Sequence, residues 1–121
     1  MNENDLSYLI RGAVYKVYNA LGPGLLESAY EAALAYELLN LKVAKQVPVP
    51  RNSIKLEAGY RIDLLVNNLV LIEIKSVKNI SEVHHKQVLT YLRLSDLRLG
   101  LLINFNVSDI SKGIYRKVNR L

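Results

Sequence analysis

Asp63, Glu73 and Lys75 are the residues of this chain best suited to chemistry. They lie within Tyr60-Arg61-Ile62-Asp63-Leu64-Leu65-Val66-Asn67-Asn68-Leu69-Val70-Leu71-Ile72-Glu73-Ile74-Lys75, two apolar runs that meet at Asn67-Asn68. Apolar strands seldom carry charge unless it is paired, bound to a metal or used in a reaction, because an unpaired charge is costly to desolvate. Carboxylate oxygens suit hard cations such as Mg²⁺ or Mn²⁺. Asp63 and Glu73 could hold such an ion, with the backbone carbonyl of Ile74 as a further ligand. An ion so placed would polarise a phosphodiester and lower the pKa of a bound water. Lys75 would orient that water or stabilise the charge growing on phosphorus. The trio points to a divalent-metal phosphodiesterase site. The inert alternative is a salt-bridged strand pair, in which Lys75 neutralises Glu73 and Asp63 pairs with Arg61 or Lys75. Glu-x-Lys alone is a weak signal; an apolar strand holding it after an upstream hairpin Asp is a stronger one.

The strand geometry sets a condition. Glu73 and Lys75 are two apart and share a face with Leu69 and Leu71, while Val70, Ile72 and Ile74 fill the other. The face bearing Glu73 must open toward a cleft near the strand's C-terminal end. A tight two-residue turn at Asn67-Asn68 pairs Val66 with Leu69 and Asp63 with Ile72, which turns Asp63 away from Glu73. A three-residue turn or a bulge sets the two acids opposite each other. A site therefore requires a bulge or an odd-length loop between residues 63 and 73.

The rest of the chain must position this hairpin. Leu6, Ile10, Ala13, Val14, Val17, Tyr18 and Leu21 recur at spacings of three and four, which predicts a helix over 5–21. Gly22-Pro23-Gly24 breaks it. A second helix is predicted over 25–40, with Leu26, Tyr30, Ala33, Leu34, Leu38 and Leu41 apolar. Residues 43–50 alternate as a half-exposed strand does, and Pro48 and Pro50 put it at an edge or end it early. Residues 51–59 form a polar connection, itself partly extended. Ser81 is an N-cap for a helix running to about Leu94. Residues 99–105 read as a buried strand, 108–112 as a turn or short helix, and 114–118 as a last edge strand. A strand, helix, strand passage over 69–105 suits a right-handed crossover between parallel strands. The expected fold is α/β: one domain over 1–121, with a mixed central β-sheet flanked by helices on both faces.

Some helix residues converge on the hairpin in this reading. Glu27 stands in the first turn of the second helix, where any acid complements the helix dipole. Tyr30 shares its side and suits core packing. Gln87 and Tyr91 are four apart on the third helix and stack on the stripe of Val83 and Leu94. A buried Gln there needs a partner, which a phosphate, an attacking water or Lys75 would supply; the alternative is a Gln exposed at the margin of the stripe. His84 and His85 diverge on a helix and read as surface groups rather than joint ligands. Lys78, Lys86, Arg93 and Arg98 would supply phosphate contacts or simply a solvated basic surface.

Composition narrows the setting. With 121 residues, half of them hydrophobic, the chain can build a real core. It has no cysteine, so disulfides and thiolate zinc sites are excluded, which fits a reducing cytoplasm. The N-terminus is polar and acidic, unlike a signal peptide. No apolar run nears the roughly 18 residues of a membrane span. A net charge of +5 favours polyanions such as nucleic acid, though weakly.

Asp63 followed by Glu73-Ile74-Lys75 resembles the PD-(D/E)XK nuclease superfamily. Gln87-Val88-Leu89-Thr90-Tyr91 resembles the Gln-x-x-x-Tyr motif of its RecB-like branch. Gly24-Leu25-Leu26-Glu27-Ser28-Ala29-Tyr30 is similar to the signature of the small GxxExxY protein family, and the likeness covers nearly the whole chain. The resemblance implies a restriction-endonuclease-like core, with Asp63 and Glu73 as metal ligands and Glu27 as a further ligand or water-positioning group. It implies a catalytic role for Lys75, and support of substrate and site geometry from Gln87 and Tyr91. Ile62 stands where the superfamily's name has proline. The expected activity is Mg²⁺- or Mn²⁺-dependent cleavage of nucleic acid, DNA first. The alternatives are a catalytically silent nucleic-acid-binding or accessory module of the same fold, and a structural domain with salt-bridged strand charges. So small a domain has little surface to grip a duplex, which a homodimer or larger assembly would supply.

Overall fold

Two asparagines decide the register of the central hairpin. The computed structural model describes the backbone of residues 1–51, 54–55 and 60–121, with the side chains of 1–50 and 60–121. Strands β4 (Arg61–Val66) and β5 (Val70–Lys75) pair antiparallel as Val66 with Val70, Leu65 with Leu71, and Leu64 with Ile72. The loop between them therefore has three residues. Asn67 (φ 51°) and Asn68 (φ 56°) take the left-handed conformation that asparagine tolerates better than most residues. The Leu69 N–H closes the turn on the Val66 carbonyl at 3.0 Å. Lys42 holds the loop from outside: the Asn67 N–H donates to its carbonyl at 2.7 Å, and its N–H donates to Asn67 Oδ1 at 2.9 Å. The odd-length loop that a site requires is present, and the register carries Asp63 opposite Glu73. One detail differs from strand alternation. Leu69 belongs to the loop and packs on the core away from Glu73's side.

The remaining elements follow the apolar patterning. Helix α1 (Glu3–Leu21) buries Leu6, Ile10, Ala13, Val14 and Val17, and Asn2 caps it by accepting the Asp5 N–H at 2.9 Å. Leu21 is exposed, because the helix ends there and the chain turns through Gly22 at φ 69°. Helix α2 (Glu27–Glu37) is shorter than its pattern predicts. Leu26 is still extended and 78% exposed, so only Tyr30, Leu34 and Ala35 of the helix are fully packed. Strand β1 (Val43–Pro48) lies at the sheet edge. The polar connection contains a two-residue ribbon of β2 (Pro50–Arg51) with β3 (Ile54–Lys55), and its remainder lies outside the described residues. Helix α3 (Glu82–Ser95) connects β5 to β6 (Leu99–Asn104), and a short 3₁₀ turn (Ile110–Lys112) precedes β7 (Ile114–Val118).

The sheet runs β1-β4-β5-β6-β7, parallel between β5 and β6 and antiparallel elsewhere. Helices α1 and α2 cover one face, where Val14, Tyr30 and Leu34 meet Leu64, Val66, Ile72 and Ile74. Helix α3 covers the other, where Val88, Tyr91 and Leu92 meet Ile62, Leu71 and Leu102. The expected mixed sheet between helical layers is the observed one.

Gly113 shows how tightly the β6–β7 corner is drawn. A Cβ there would stand 2.3 Å from the backbone oxygen of Asn104, whose own N–H donates to the Gly113 carbonyl at 2.8 Å. Backbone cannot give way as a side-chain tip can. Gly113→Ala should lower stability by about 3 kcal/mol, the upper end of the overpacking range, measured by urea denaturation.

Candidate active site

Beyond Leu64–Ile72 the hairpin ladder ends, and carboxylates take over its hydrogen bonds. The Asp63 N–H donates to Glu73 Oε1 at 3.1 Å, and the Ile74 N–H donates to Asp63 Oδ2 at 2.8 Å. Each acid thus holds backbone of the opposite strand. The change coincides with a switch of faces in β4. Leu64 and Val66 pack under α1 and α2, whereas Ile62 packs under α3. Glu73 is only 3% exposed.

Burial pushes the Glu73 carboxyl up to about 8, and the charge of Asp63 adds to the rise, against the Asp63 N–H and Lys75. Burial raises Asp63 as well, opposed by the Ile74 N–H, Gln46 and Lys75. Among the described residues the sole ion pair within 4.0 Å is Arg120 with Asp96 at the surface. The salt-bridged alternative is therefore absent among them. Lys75 closes on neither acid, and Arg61 donates instead to the Gln46 carbonyl at 3.3 Å.

The loop before α2 brings Glu27 to the end of β5. Gly24 takes φ 95°, open to glycine. Tyr30 is fully buried and stacked on Phe105, with centroids 4.3 Å apart. Its hydroxyl donates to the Gly22 carbonyl at 2.6 Å and accepts the Leu25 N–H at 3.1 Å, which locks the loop. Glu27 Oε2 then accepts the Ser76 N–H at 3.2 Å, one residue past Lys75, and Ser76 Oγ donates to the Leu25 carbonyl at 2.6 Å. Glu27 is exposed, and its charge acts on both Asp63 and Glu73.

On α3, Gln87 Nε2 donates to the Tyr91 hydroxyl at 3.0 Å, so its partner is its own helix neighbour rather than Lys75. Tyr91 lies near enough to Glu73 for that charge to add to the burial that raises its own pKa. Val83 (71% exposed) and Leu94 do not form a buried stripe with them; the helix rests on Val88, Tyr91 and Leu92. His84 accepts the Ser81 N–H at 3.0 Å as part of the helix cap. His85 is not a plain surface group: it is half-buried between α3 and β7, its Nδ1 3.0 Å from Lys117 Nζ and its ring edge-on to Tyr115.

Four residues at the site went unread in the sequence. Gln46 donates to Asp63 Oδ1 at 3.3 Å and to Glu31 Oε1 at 2.7 Å. Glu31, one turn beyond Glu27, adds to the acidic wall. Ser76 ties the hairpin to α2. Asn104 is buried in β6 and holds residue 77 through its N–H (3.1 Å) and its carbonyl (2.9 Å). A lone Asn in a buried apolar strand was the one available signal, since such a group must find partners. No pattern in the sequence marks Gln46 or Glu31.

The donor chemistry fits a hard divalent cation: burial raises the pKa of both carboxyls, the charge of Asp63 raises Glu73 further, and neither has an ion-pair partner among the described residues. No three His, Asp or Glu side chains among those residues converge closely enough to hold one ion as they stand. Glu73, expected to face an open cleft, is itself buried. A groove of about 660 Å³ lies elsewhere, between α1 and the end of α2, bordered by Tyr8, Arg11, Tyr15, Lys16 and Glu37. Residues 4–117 match one family model, that of the PD-(D/E)XK nuclease superfamily. The chain belongs to the PD-(D/E)XK nuclease superfamily. No curated protein and no solved structure matches it. Nucleases of this superfamily generally use divalent metal ions. Among the described residues, no helix is long and apolar enough to cross a membrane.

The raised Glu73 pKa links stability to pH. Below the ordinary value of 4.5 both folded and unfolded chains carry this proton; between there and about 8 only the folded chain does. Without divalent cations, stability should fall as pH rises through that window, by up to ~1.4 kcal/mol per unit, and level off above it. Glu73→Gln should flatten the decline and leave the variant more stable than wild type above about pH 7. Melting temperature against pH in EDTA checks both.

Proposed function

We propose that this superfamily member is an active Mg²⁺- or Mn²⁺-dependent nuclease that hydrolyses phosphodiester bonds in DNA. The observation that carries the reading is the facing pair Asp63 and Glu73, desolvated and outside any ion pair among the described residues, with Lys75 beside them. The ion would be held by Asp63 and Glu73, with the Ile74 carbonyl and Glu27 as further ligands. Once bound, it supplies Lewis-acid activation of the phosphate and of a water. Lys75 orients the water and steadies charge on phosphorus, while Gln87 and Tyr91 support substrate at the α3 side.

We also place the chain in the GxxExxY family and in the RecB-like branch. The loop lock supports the first: Gly24 turns, Glu27 reaches Ser76, and Tyr30 pins the turn. The Gln87–Tyr91 hydrogen bond supports the second. The composition fits a cytoplasmic protein, and a homodimer would widen the surface available to a duplex.

A second reading keeps nucleic-acid binding without turnover. The observation favouring it is the near-complete burial of Glu73, with one oxygen held by the Asp63 N–H. Labelled single- and double-stranded DNA and RNA, incubated with Mg²⁺, Mn²⁺ or EDTA, separate the two. The nuclease cleaves DNA with either metal and stops in EDTA. Asp63→Ala and Glu73→Ala abolish cleavage, and Lys75→Ala lowers it about 100-fold. Binding without cleavage, and no uptake of Mn²⁺ in calorimetry, would establish the silent module instead.

A further inference from the structure

Gln46 is the one residue inside a strand of the main sheet with a positive φ, at 51°. It is neither glycine nor asparagine, and a non-glycine residue held in this region costs on the order of 1–3 kcal/mol. The backbone around it bears the mark. Lys45 pairs with Leu64 and Val47 with Ile62, but the Gln46–Asp63 pair between them is missing from the register. Val43 packs under α1 and α2, whereas Val47, four residues on and of the same parity, packs under α3. The edge strand therefore switches faces at Gln46, where its neighbour β4 switches at Asp63. The freed Gln46 carbonyl is taken up by Arg61.

The side chain points to the purpose of this conformation. Its Nε2 stands between two carboxylates, donating to Glu31 Oε1 at 2.7 Å and to Asp63 Oδ1 at 3.3 Å. Only the NH₂ end of a carboxamide suits two such acceptors, and it offers one hydrogen to each. The other Asp63 oxygen is held by the Ile74 N–H. Both oxygens of the acid are thus fixed, one by backbone and one by Gln46.

We propose that Gln46 is a positioning residue, whose carboxamide fixes the orientation of the Asp63 carboxylate, braced on Glu31, for divalent-cation binding. The inference rests on the nuclease reading above. It also accounts for the strained backbone: with an ordinary extended φ the strand would not switch faces at Gln46.

Gln46→Gly tests this without endangering the fold, since glycine adopts a left-handed φ freely. The variant should melt at or above the wild-type temperature. Its Mn²⁺ affinity by calorimetry should nonetheless fall about tenfold, as is usual when the group holding a metal ligand is removed. The Mn²⁺ concentration for half-maximal cleavage should rise by the same factor, with KM for DNA unchanged. Asp63→Asn is the reference for lost binding. Wild-type Mn²⁺ affinity in Gln46→Gly, alongside a loss in Asp63→Asn, overturns the role of Gln46 and leaves the nuclease reading standing. Absence of Mn²⁺ uptake by the wild-type protein overturns both.

Discussion

Two carboxylates that should repel each other are held together by backbone N–H groups. Asp63 and Glu73 each accept from the opposite strand at the point where the hairpin ladder stops, so ordinary strand pairing is given up in favour of the acids. Hydrogen bonds to a carboxylate are stronger than neutral ones, which lets the strands stay closed around buried charge. Burial still wins, because both carboxyls remain above their usual range. Two desolvated acids that favour protons over bare charge, with no competing ion pair among the described residues, suit a hard cation.

The surrounding elements serve to keep that pair in place. The crossover through α3 lays β6 against β5 in parallel, and Asn104 at the end of β6 holds the chain just past Lys75. From the other face, the loop before α2 delivers Glu27 to Ser76, and Tyr30 locks that loop against Phe105. Three separate parts of the chain thus meet within a few residues of the lysine.

Much of this was legible in the chain because it depends on local rules. Apolar spacing placed α1, Ser81 marked the start of α3, and the proline-bearing strand lay at the edge as expected. The hairpin itself was undecided by letters: Asn67-Asn68 allows either a two- or a three-residue loop, and one residue separates a facing pair from an averted one. The anchor from Lys42, far from the turn in sequence, belongs to tertiary structure. Leu21 and Leu26 fitted helical periodicity yet are exposed, since periodicity does not say where a helix ends. Gln46 and Glu31 were invisible for a different reason. Their part depends on a backbone kink that no residue preference announces.

That kink also bears on how the molecule meets copies of itself. Strand β1 is an outer strand of the sheet, and an outer strand usually presents a continuous row of free N–H and C=O groups to any passing chain. A left-handed residue in its middle interrupts that row. Strand addition along β1 is disfavoured by the same bend that brings Gln46 to Asp63. Amyloid-like growth from this side is disfavoured by the bend together with the exposed Lys45 on the same strand.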